Sequence, residues 1–343
     1  MHYGFQFSIV HRQMTNRTHH DASSPRSGRV IRIDRGWSSV EIDGVDEVVR
    51  VRNIGADVAV GDRVVISEDG ERIDEVKQRS SSLTRRASSD TVRAESHTIA
   101  ANLDVVLVVQ SASQPINVRR IERELVLAFD SGATPLLVLN KRDDVTDGLL
   151  ESRIEQVRGV AMGVGVVAVS AVSGVGMDEL RRHIYMCANS SQPTIALIGA
   201  SGVGKSTLVN ALLGEERQRT GSVREGDQRG RHTTTAAELL AMAEGGWIVD
   251  TPGLRAVSLW TSQRGIERAF SDVFLAAERC KFRDCKHEQE PDCGVREAIR
   301  TGSIAVERVA NLKALVEEEQ HLEADQEARE KLANRRGVRR RPN

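Results

Sequence analysis

The chain has 343 residues, which is long enough for two or three domains that each bury a core. Its 48 Lys and Arg residues nearly balance 49 Asp and Glu residues, so net charge by itself predicts no polyanion partner. No apolar run reaches the length of a membrane-spanning helix, and the N-terminus lacks a secretory signal pattern. We therefore expect a cytoplasmic protein with no membrane partner.

Residues 1–27 are polar and rich in Ser, His and Arg, which predicts a disordered N-terminal extension. Residues 28–95 instead alternate apolar and polar side chains in short runs, separated by turn signals such as Asp43-Gly44. Period-two runs at this spacing predict a small all-β barrel or sandwich. The predicted strands cover 28–33, 37–42, 47–53 and 62–67. A basic, serine-rich connector follows at 76–96.

Residues 96–262 change to an α/β pattern. Apolar runs over 103–109 and 134–140 predict buried parallel strands, and the amphipathic segment 117–132 between them predicts a helix. The region between Gly214 and Ala236 has no apolar periodicity, which predicts a mobile functional loop. The remaining elements are strands over 164–170, 194–200 and 246–253 and helices over 176–188 and 205–213.

A possible base-reading motif ends the run 134–140. Its residues Asn140-Lys141-Arg142-Asp143 resemble the guanine-reading Asn-Lys-x-Asp of GTPases. Guanine offers N1–H and N2–H₂ donors to the Asp143 carboxylate, whereas adenine would place a lone pair there. Asn140 would brace the loop and Lys141 would pack its alkyl stem over the base. After the next strand, a backbone N–H of Ser170-Ala171 could bind guanine O6. Each motif is weak evidence alone, because Asn-Lys-x-Asp at a strand end is also a plausible turn and Ser-Ala is a common dipeptide.

A Gly-x4-Gly-Lys-Ser sequence lies between an apolar run and a predicted helix, the context that a phosphate-binding loop requires. Its glycines let backbone N–H groups face a pyrophosphate at the helix N-terminus. The Lys205 ammonium can reach the β- and γ-phosphates, and the Ser206 hydroxyl can bind Mg²⁺. The predicted GTP-binding residues of this loop are Gly199, Ala200, Ser201, Gly202, Val203, Gly204, Lys205, Ser206 and Thr207.

Two downstream motifs predict the switch regions. The sequence Asp250-Thr-Pro-Gly253 ends an apolar strand, where the Asp250 carboxylate can hold Mg²⁺ and the Gly253 N–H can meet the γ-phosphate. The sequence GRHTTT at 230–235 supplies three threonines, and we favour Thr234 as the Mg²⁺ ligand beside Ser206 and Asp250. An exposed, threonine-rich strand start is the alternative interpretation.

The order of these motifs is unusual, because the base-reading motifs precede the phosphate loop and the switches. Each motif nevertheless ends a predicted strand, which is hard to ascribe to chance. The order is a circular permutation of the usual GTPase order. A compact α/β domain tolerates such a permutation when its natural termini lie close together. Here the second switch ends the domain and runs directly into the next one.

A cluster of metal-ligating residues follows. Cys280, Cys285, His287 and Cys293 fall within fourteen residues. Three thiolates and one imidazole complete a tetrahedral Zn²⁺ shell with no position open for water, so we predict one structural zinc ion. The alternative, unrelated buried cysteines, suits the isolated Cys187 better. We assign 263–318 to a mostly helical zinc-binding domain and 319–343 to a charged tail.

Taken together, the β region, the permuted GTPase motifs and the string CKFRDCKH resemble the small ribosomal subunit biogenesis GTPases (RsgA, also called YjeQ). The resemblance covers about residues 28–318. It implies an OB-fold over 28–95 and a permuted GTPase domain over 96–262, ahead of the zinc-binding domain. It also implies binding to the 30S subunit and its 16S rRNA, stimulation of GTP hydrolysis by the ribosome, and a role in late maturation.

The residue that positions the attacking water is left open. Leu254 follows the Asp250 motif where many GTPases carry a water-orienting Gln, and leucine cannot orient water. We therefore expect slow intrinsic hydrolysis. His232 in GRHTTT is a candidate for the missing role, as a neutral imidazole. Packing or RNA contact is an equal alternative for this histidine.

Two other functions fit parts of the sequence. One is an RNA-binding protein with a degenerate nucleotide site, which the intact Lys205, Ser206 and Asp250 argue against. The other is a GTPase that acts on the large subunit or on tRNA. We expect a monomer without a DNA partner. Basic residues that could contact RNA phosphates, or merely balance nearby acids, are Lys77, Arg79, Arg85, Arg86, Arg335, Arg336, Arg339, Arg340 and Arg341.

Overall fold

The computed structural model describes residues 26–34, 36–53, 57–85, 97–214, 237–250 and 263–338. The strands are β1 (Arg26–Asp34), β2 (Trp37–Ile42), β3 (Val48–Arg52), β4 (Arg63–Ile66), β5 (Ile73–Val76), β6 (Ser82–Arg85), β7 (His97–Ala101), β8 (Val105–Ser111), β9 (Thr134–Asn140), β10 (Gly165–Ala168), β11 (Thr194–Ile198), β12 (Ala237–Ala241) and β13 (Trp247–Asp250). The helices are α1 (Val118–Asp130), α2 (Asp147–Arg158), α3 (Met177–Ala188), α4 (Lys205–Leu213), α5 (Gln263–Ala269), α6 (Ser271–Ala277), α7 (Gly294–Arg300) and α8 (Val306–Val338).

The N-terminal β region, residues 26–76, contains the four predicted strands and a fifth, β5. β1 pairs antiparallel with both β2 and β4, β2 pairs with β3, and β4 pairs with β5. A parallel bridge between Arg52 and Arg72 joins the end of β3 to the start of β5. Alternate residues of β2 point inward and pack with Val30, Val51 and Val64. The period-two pattern therefore predicted the buried face of this region.

The α/β region contains the predicted parallel strands in the order β10-β9-β8-β11-β13. The middle strands β8 and β9 are buried on both faces, which explains their continuous apolar sequence. Helices α1 and α5 cover one face, and helices α3 and α4 cover the other. Antiparallel β12 extends this sheet and pairs with β1 as well as β13. One sheet thus runs from the α/β region into the N-terminal β region.

The C-terminal region is helical, as predicted. Helix α5 packs closely on α1, because a Cβ on Gly265 would lie 2.7 Å from the Val126 carbonyl oxygen. Helix α8 continues from Val306 to Val338, so the described part of the charged tail is a helical extension. Its Glu, Ala, Lys, Arg and Leu residues have high helix propensity, which accounts for the extension. No helix in the described ranges has the length and apolarity needed to span a membrane.

Several details differ from the sequence prediction, and strands β5 and β7 were not predicted. β6 forms inside the predicted connector, where only Leu83 is apolar, and its pairing with β7 stabilises it. α2 was not predicted, because its buried residues Leu150 and Val157 are too few to make a periodic pattern. β1 begins at Arg26, two residues before the predicted start. Residues 1–25 lie outside the described residues.

Candidate nucleotide site and metal centre

The predicted nucleotide-binding motifs converge on one edge of the parallel sheet. Asn140 ends β9, Ser170-Ala171 follows β10, the phosphate loop follows β11, and Asp250 ends β13. Parallel strands present their carboxyl ends at the same edge, where α/β proteins bind ligands. The predicted motifs at 230–235 and 251–254, with His232, Thr234, Gly253 and Leu254, lie outside the described residues.

The phosphate loop has the glycine conformations that its sequence requires. Gly199 has φ 143°, and a Cβ there would lie 2.3 Å from the Val109 carbonyl oxygen. Gly204, with φ 92°, caps the N-terminus of α4. The Lys205 ammonium donates to the carbonyl oxygens of Gly199 and Ala200 at 2.7 and 2.6 Å. The loop therefore curls around its lysine, with the other predicted residues Ser201, Gly202, Val203, Ser206 and Thr207 beside it.

Asn140 ties the phosphate loop to both base-reading motifs. Its side chain is 2% exposed. The amide Nδ2 donates to the Val203 carbonyl oxygen at 3.0 Å, and Oδ1 accepts the Ala171 N–H at 3.1 Å. A Cβ on Gly204 would lie 2.3 Å from the same Nδ2, so glycine is needed there for this approach. The Asn140 side chain thus joins segments that are distant in sequence.

The rest of the Asn-Lys-x-Asp segment forms a tight turn. Lys141 has a left-handed φ of 63°, and a 3-10 turn over Arg142–Asp144 follows it. The Arg142 N–H donates to the Val169 carbonyl oxygen at 3.1 Å, which fixes the turn against the end of β10. Asp143 is exposed at the tip of the turn, so its carboxylate is accessible to a ligand.

The Ser170-Ala171 amides differ from the prediction in one respect. The Ser170 N–H donates to the Val175 carbonyl oxygen at 2.8 Å, and the Ala171 N–H donates to Asn140. The prediction was that one of these backbone N–H groups binds guanine O6, and each of them has an acceptor within the protein. Either N–H can bind guanine O6 only if it shares its hydrogen with its present acceptor or breaks that hydrogen bond.

The described oxygen donors suit magnesium. The Ser206 hydroxyl lies in the first turn of α4, and the half-buried Asp250 carboxylate ends β13. Hydroxyl and carboxylate oxygens are the ligand class that Mg²⁺ prefers, and Mg²⁺ usually keeps several waters and phosphate oxygens as its other ligands. Asp250 is also in register with Glu238 of β12, whose side chain pairs with Arg32 of β1 at 3.4 Å.

Gln110 and Glu124 were not identified from the sequence. Gln110 is the penultimate residue of β8, and its Nε2 donates to the Glu124 carboxylate on α1 at 2.5 Å. Burial raises the pKa of Glu124 to about 7, while the Gln110 hydrogen bond and the charges of Arg120 and Lys205 oppose the shift. The only sequence signal was a polar residue ending an otherwise apolar strand.

The predicted zinc ligands form a compact cluster. One ligand atom from each of Cys280, Cys285, His287 and Cys293 lies within 4.8 Å of all the others. The Cys280 and Cys293 sulfurs are 3.8 Å apart, and His287 Nδ1 lies 3.5 and 3.4 Å from them. Zn–S bonds of about 2.3 Å imply tetrahedral edges of about 3.8 Å, so the donor set fits a zinc ion.

Two features around the cluster favour metal binding, whereas burial raises the pKa of the Cys285 thiol to about 11. Burial by itself would raise the pKa of the Cys280 thiol, but N–H donors of Val295 and Gly294 lower it overall, which favours the thiolate. Gly294 begins α7, and a Cβ there would lie 2.2 Å from the Ala276 carbonyl oxygen. Burial lowers the pKa of His287, which keeps its imidazole neutral for ligation.

Protein-family models match most of the described sequence. A model described as RsgA GTPase matches residues 76–260, more than half of the chain. A second model, described as a 50S ribosome-binding GTPase, matches residues 194–333.

Curated relatives and solved structures agree with the first match. The chain is 39% identical to the small ribosomal subunit biogenesis GTPase RsgA of Streptomyces coelicolor, over 92% of this chain and 86% of that protein. It is 42% identical to the Methanosarcina acetivorans protein of the same name, over 64% of this chain but 58% of the relative. The crystal structure of YjeQ from Thermotoga maritima matches with a TM-score of 0.64 and 27% identity, over 87% of this chain and 99% of that one. YloQ, described as a circularly permuted GTPase, shares the fold with a TM-score of 0.62, at 24% identity over 89% of this chain and 98% of that one.

Proposed function

This chain belongs to the RsgA GTPase family, and on that premise we propose that it hydrolyses GTP as a factor in the late maturation of the small ribosomal subunit. In this proposal it binds the 30S subunit and 16S rRNA, and the ribosome stimulates its hydrolysis. The observation that carries the small-subunit assignment is the similarity to the Streptomyces relative over 92% of the chain. The groups proposed to carry out the hydrolysis are the motifs at the carboxyl edge of the parallel sheet.

In the proposed mechanism, water attacks the γ-phosphate of GTP in line with the leaving oxygen. Lys205 binds the β- and γ-phosphate oxygens once they replace the loop carbonyls as its acceptors. A bound Mg²⁺, held by Ser206, Asp250 and Thr234, would neutralise phosphate charge. Asn140 keeps the phosphate loop and the base loop at a fixed separation. Gly253 meets the γ-phosphate through its backbone N–H.

Guanine recognition is assigned to Asp143, whose exposed carboxylate accepts the N1–H and N2–H₂ donors. Asp143→Asn should weaken GTP binding strongly and spare xanthosine triphosphate, in which a carbonyl replaces the N2–H₂ donor. Equilibrium binding of GTP and of xanthosine triphosphate measures this change in base preference. Equal loss of both nucleotides would show that Asp143 supports the loop rather than reads the base.

Water positioning is assigned to His232, because Leu254 carries no hydrogen-bonding group. His232→Ala should lower 30S-stimulated turnover at least tenfold, with little change in GTP affinity. Turnover at saturating 30S subunits decides the matter, and an unchanged rate rejects the assignment.

The flanking regions are assigned to RNA binding. The strand order of the N-terminal β region, with its parallel Arg52–Arg72 bridge, supports an OB-fold over residues 28–95. The cluster at Cys280, Cys285, His287 and Cys293 supports a zinc-binding domain over 263–318. Arg79 is removed from the RNA candidates, because its guanidinium makes a two-bond pair with the buried Asp62 at 2.7 and 2.8 Å.

The choice of ribosomal subunit has a direct test. With a non-hydrolysable GTP analogue, the chain should co-sediment with purified 30S subunits and not with 50S subunits. The competing candidate, a factor for the large subunit, has support in the match to the 50S ribosome-binding GTPase model. Co-sedimentation with 50S subunits alone would establish that candidate instead.

A further inference from the structure

A buried arginine joins the C-terminal helices to the α/β region. Arg308 of α8 is 3% exposed, yet each of its five N–H donors has an acceptor. Two donors bind the Asp272 carboxylate of α6 at 2.6 and 2.7 Å, and a third binds Glu122 of α1 at 2.9 Å. The remaining two donate to the carbonyl oxygens of Ala269 and Val160 at 2.8 and 3.3 Å.

The partner carboxylate on α1 is equally enclosed. Glu122 is 2% exposed, and its second oxygen accepts a hydrogen bond from Asn311 of α8 at 2.7 Å. Burial raises the pKa of Glu122, and the Asn311 bond and the Arg308 charge oppose that shift. We call Arg308, Glu122, Asp272 and Asn311 the Arg308 cluster. Because both signs of charge are enclosed together, removing one partner leaves the other buried without compensation.

The cluster connects regions that are far apart in sequence. Glu122 and Arg308 are separated by 186 residues, yet they are bonded directly. The next residue of α1, Arg123, forms a second pair with Glu318, ten residues after Arg308 on α8, with bonds of 2.7 and 3.0 Å. Helix α5 packs on the same side of α1, where Gly265 lies against Val126 and Asp130. The C-terminal helices therefore contact α1 from Glu122 to Asp130.

The opposite side of α1 lies against the phosphate site. Glu124 binds Gln110 at the end of β8, and the backbone of the preceding residue, Val109, touches the first residue of the phosphate loop. Lys205 is among the charges that act on Glu124. Helix α1 therefore contacts both the C-terminal helices and the strand beneath the phosphate loop.

We propose that α1 transmits the binding of RNA by the C-terminal region to the phosphate loop, and that the Arg308 cluster is the joint through which it does so. Arg308 is in this sense a positioning residue for stimulated hydrolysis. The inference rests on the proposed function, because it specifies the route by which the ribosome would stimulate the GTPase. In this inference the signal passes through α1. It also has the direct covalent route, the chain that follows Asp250 into the C-terminal region.

The test separates positioning from simple structural support. The variant Glu122→Gln keeps the side-chain shape and removes one charge. The triple variant Glu122→Gln, Asp272→Asn, Arg308→Met removes all three charges together and avoids an unpaired buried ion. Arg123→Gln on the more exposed pair is the matched control. Zinc content and helix content confirm that each variant is folded.

Three quantities are measured with purified 30S subunits: their affinity, the intrinsic turnover and the stimulated turnover. We expect the triple variant to lose at least tenfold in stimulated turnover, with the other two quantities within about twofold of wild type. Arg123→Gln should stay within twofold throughout. Unchanged stimulation in the folded triple variant overturns the inference, and so does an equal fall of intrinsic and stimulated rates.

A second readout does not need the ribosome. Binding of a non-hydrolysable GTP analogue should change amide hydrogen exchange in α8 of the wild type but not in the triple variant. No change in wild-type α8 overturns the inference. If 30S subunits fail to stimulate the wild type, the proposed function fails separately, and the exchange result still decides whether α1 connects the two sites.

Discussion

The α/β region is joined to its two neighbours in different ways. The N-terminal β region joins through backbone hydrogen bonds, because β1 pairs with β12 in register at Arg32–Glu238 and Ile33–Ala237. The C-terminal helices join through side chains, with Arg308 at the centre of a buried ionic cluster. Both junctions also enclose an arginine, so the two arginines can be compared directly.

Arg29 at the N-terminal junction is poorly compensated. It donates to Thr194 Oγ1 and lies over the Trp247 ring at 5.9 Å, but its Nε has no hydrogen-bond partner among the described residues. Burial lowers the pKa of Arg29 to about 10, and the nearby Arg63 charge adds to the shift. Arg308, by contrast, has all five donors bonded. A junction made by backbone strand pairing needs no particular side chain. A junction made by one ionic cluster depends on the side chains of that cluster.

The largest effect is expected at Arg308. Arg308→Met leaves Glu122 and Asp272 buried without a counter-charge, which should lower the opening free energy of the C-terminal helices by about 3–5 kcal/mol. Hydrogen exchange of α8 amides measures this quantity. In the triple variant, which also removes both carboxylates, the opening free energy should fall by less than half of that amount. A loss below about 1 kcal/mol for Arg308→Met would contradict the contrast between the junctions.

An intermediate effect is expected at Glu124, on the phosphate side of α1. Burial raises its pKa to about 7 in the folded protein from an ordinary value of 4.5, so the folded state binds more protons than the unfolded state between these pH values. Stability should therefore fall as pH rises through this window. Glu124→Gln should stabilise the protein at pH 8 by up to about 3 kcal/mol and have no effect at pH 4.

Denaturant unfolding at several pH values measures the Glu124 effect, and Glu155→Gln on the exposed side of α2 is its control. An equal stabilisation at pH 4 and pH 8 would show that packing, rather than ionisation, distinguishes Glu124 from glutamine.

The smallest effect is expected at Arg29. Arg29→Met replaces a desolvated guanidinium with an apolar side chain of similar length, so the unfolding free energy should change by less than about 1 kcal/mol in either direction. The strand pairing of β1 with β12 stays intact in this variant. If Arg29→Met costs as much as Arg308→Met, the N-terminal junction also depends on its arginine, and the comparison fails.

Much of the fold followed from local patterns. The apolar runs located β8, β9 and β11 and the alternating runs located β1 to β4, because periodicity reports which faces of an element are buried. The weakly patterned elements β6 and α2 escaped prediction. Pairing with β7 stabilises the polar β6, and such a long-range partner leaves no local signal.

The candidate sites also contain some features that have a local sequence signal and others that depend on long-range contacts. The phosphate loop, the Asn-Lys-x-Asp turn and the Cys/His cluster are short motifs whose chemistry resides in neighbouring residues, so they were visible in the sequence. The order of the motifs also indicated a permuted GTPase, and the solved YloQ fold agrees with that prediction. The engagement of the Ala171 N–H by Asn140 was not visible, because it depends on a contact 31 residues away.

The sequence by itself predicted which residues bind phosphate, guanine and zinc, because those predictions depend on side-chain type and local spacing. Only the tertiary structure decided how the sites are connected. The Arg308 cluster unites residues from 122 to 311, and each of them alone looks like an ordinary polar or charged surface residue of a helix. Their partners become known only when the helices pack, since burial turns a solvated charge into one that must find its counter-ion.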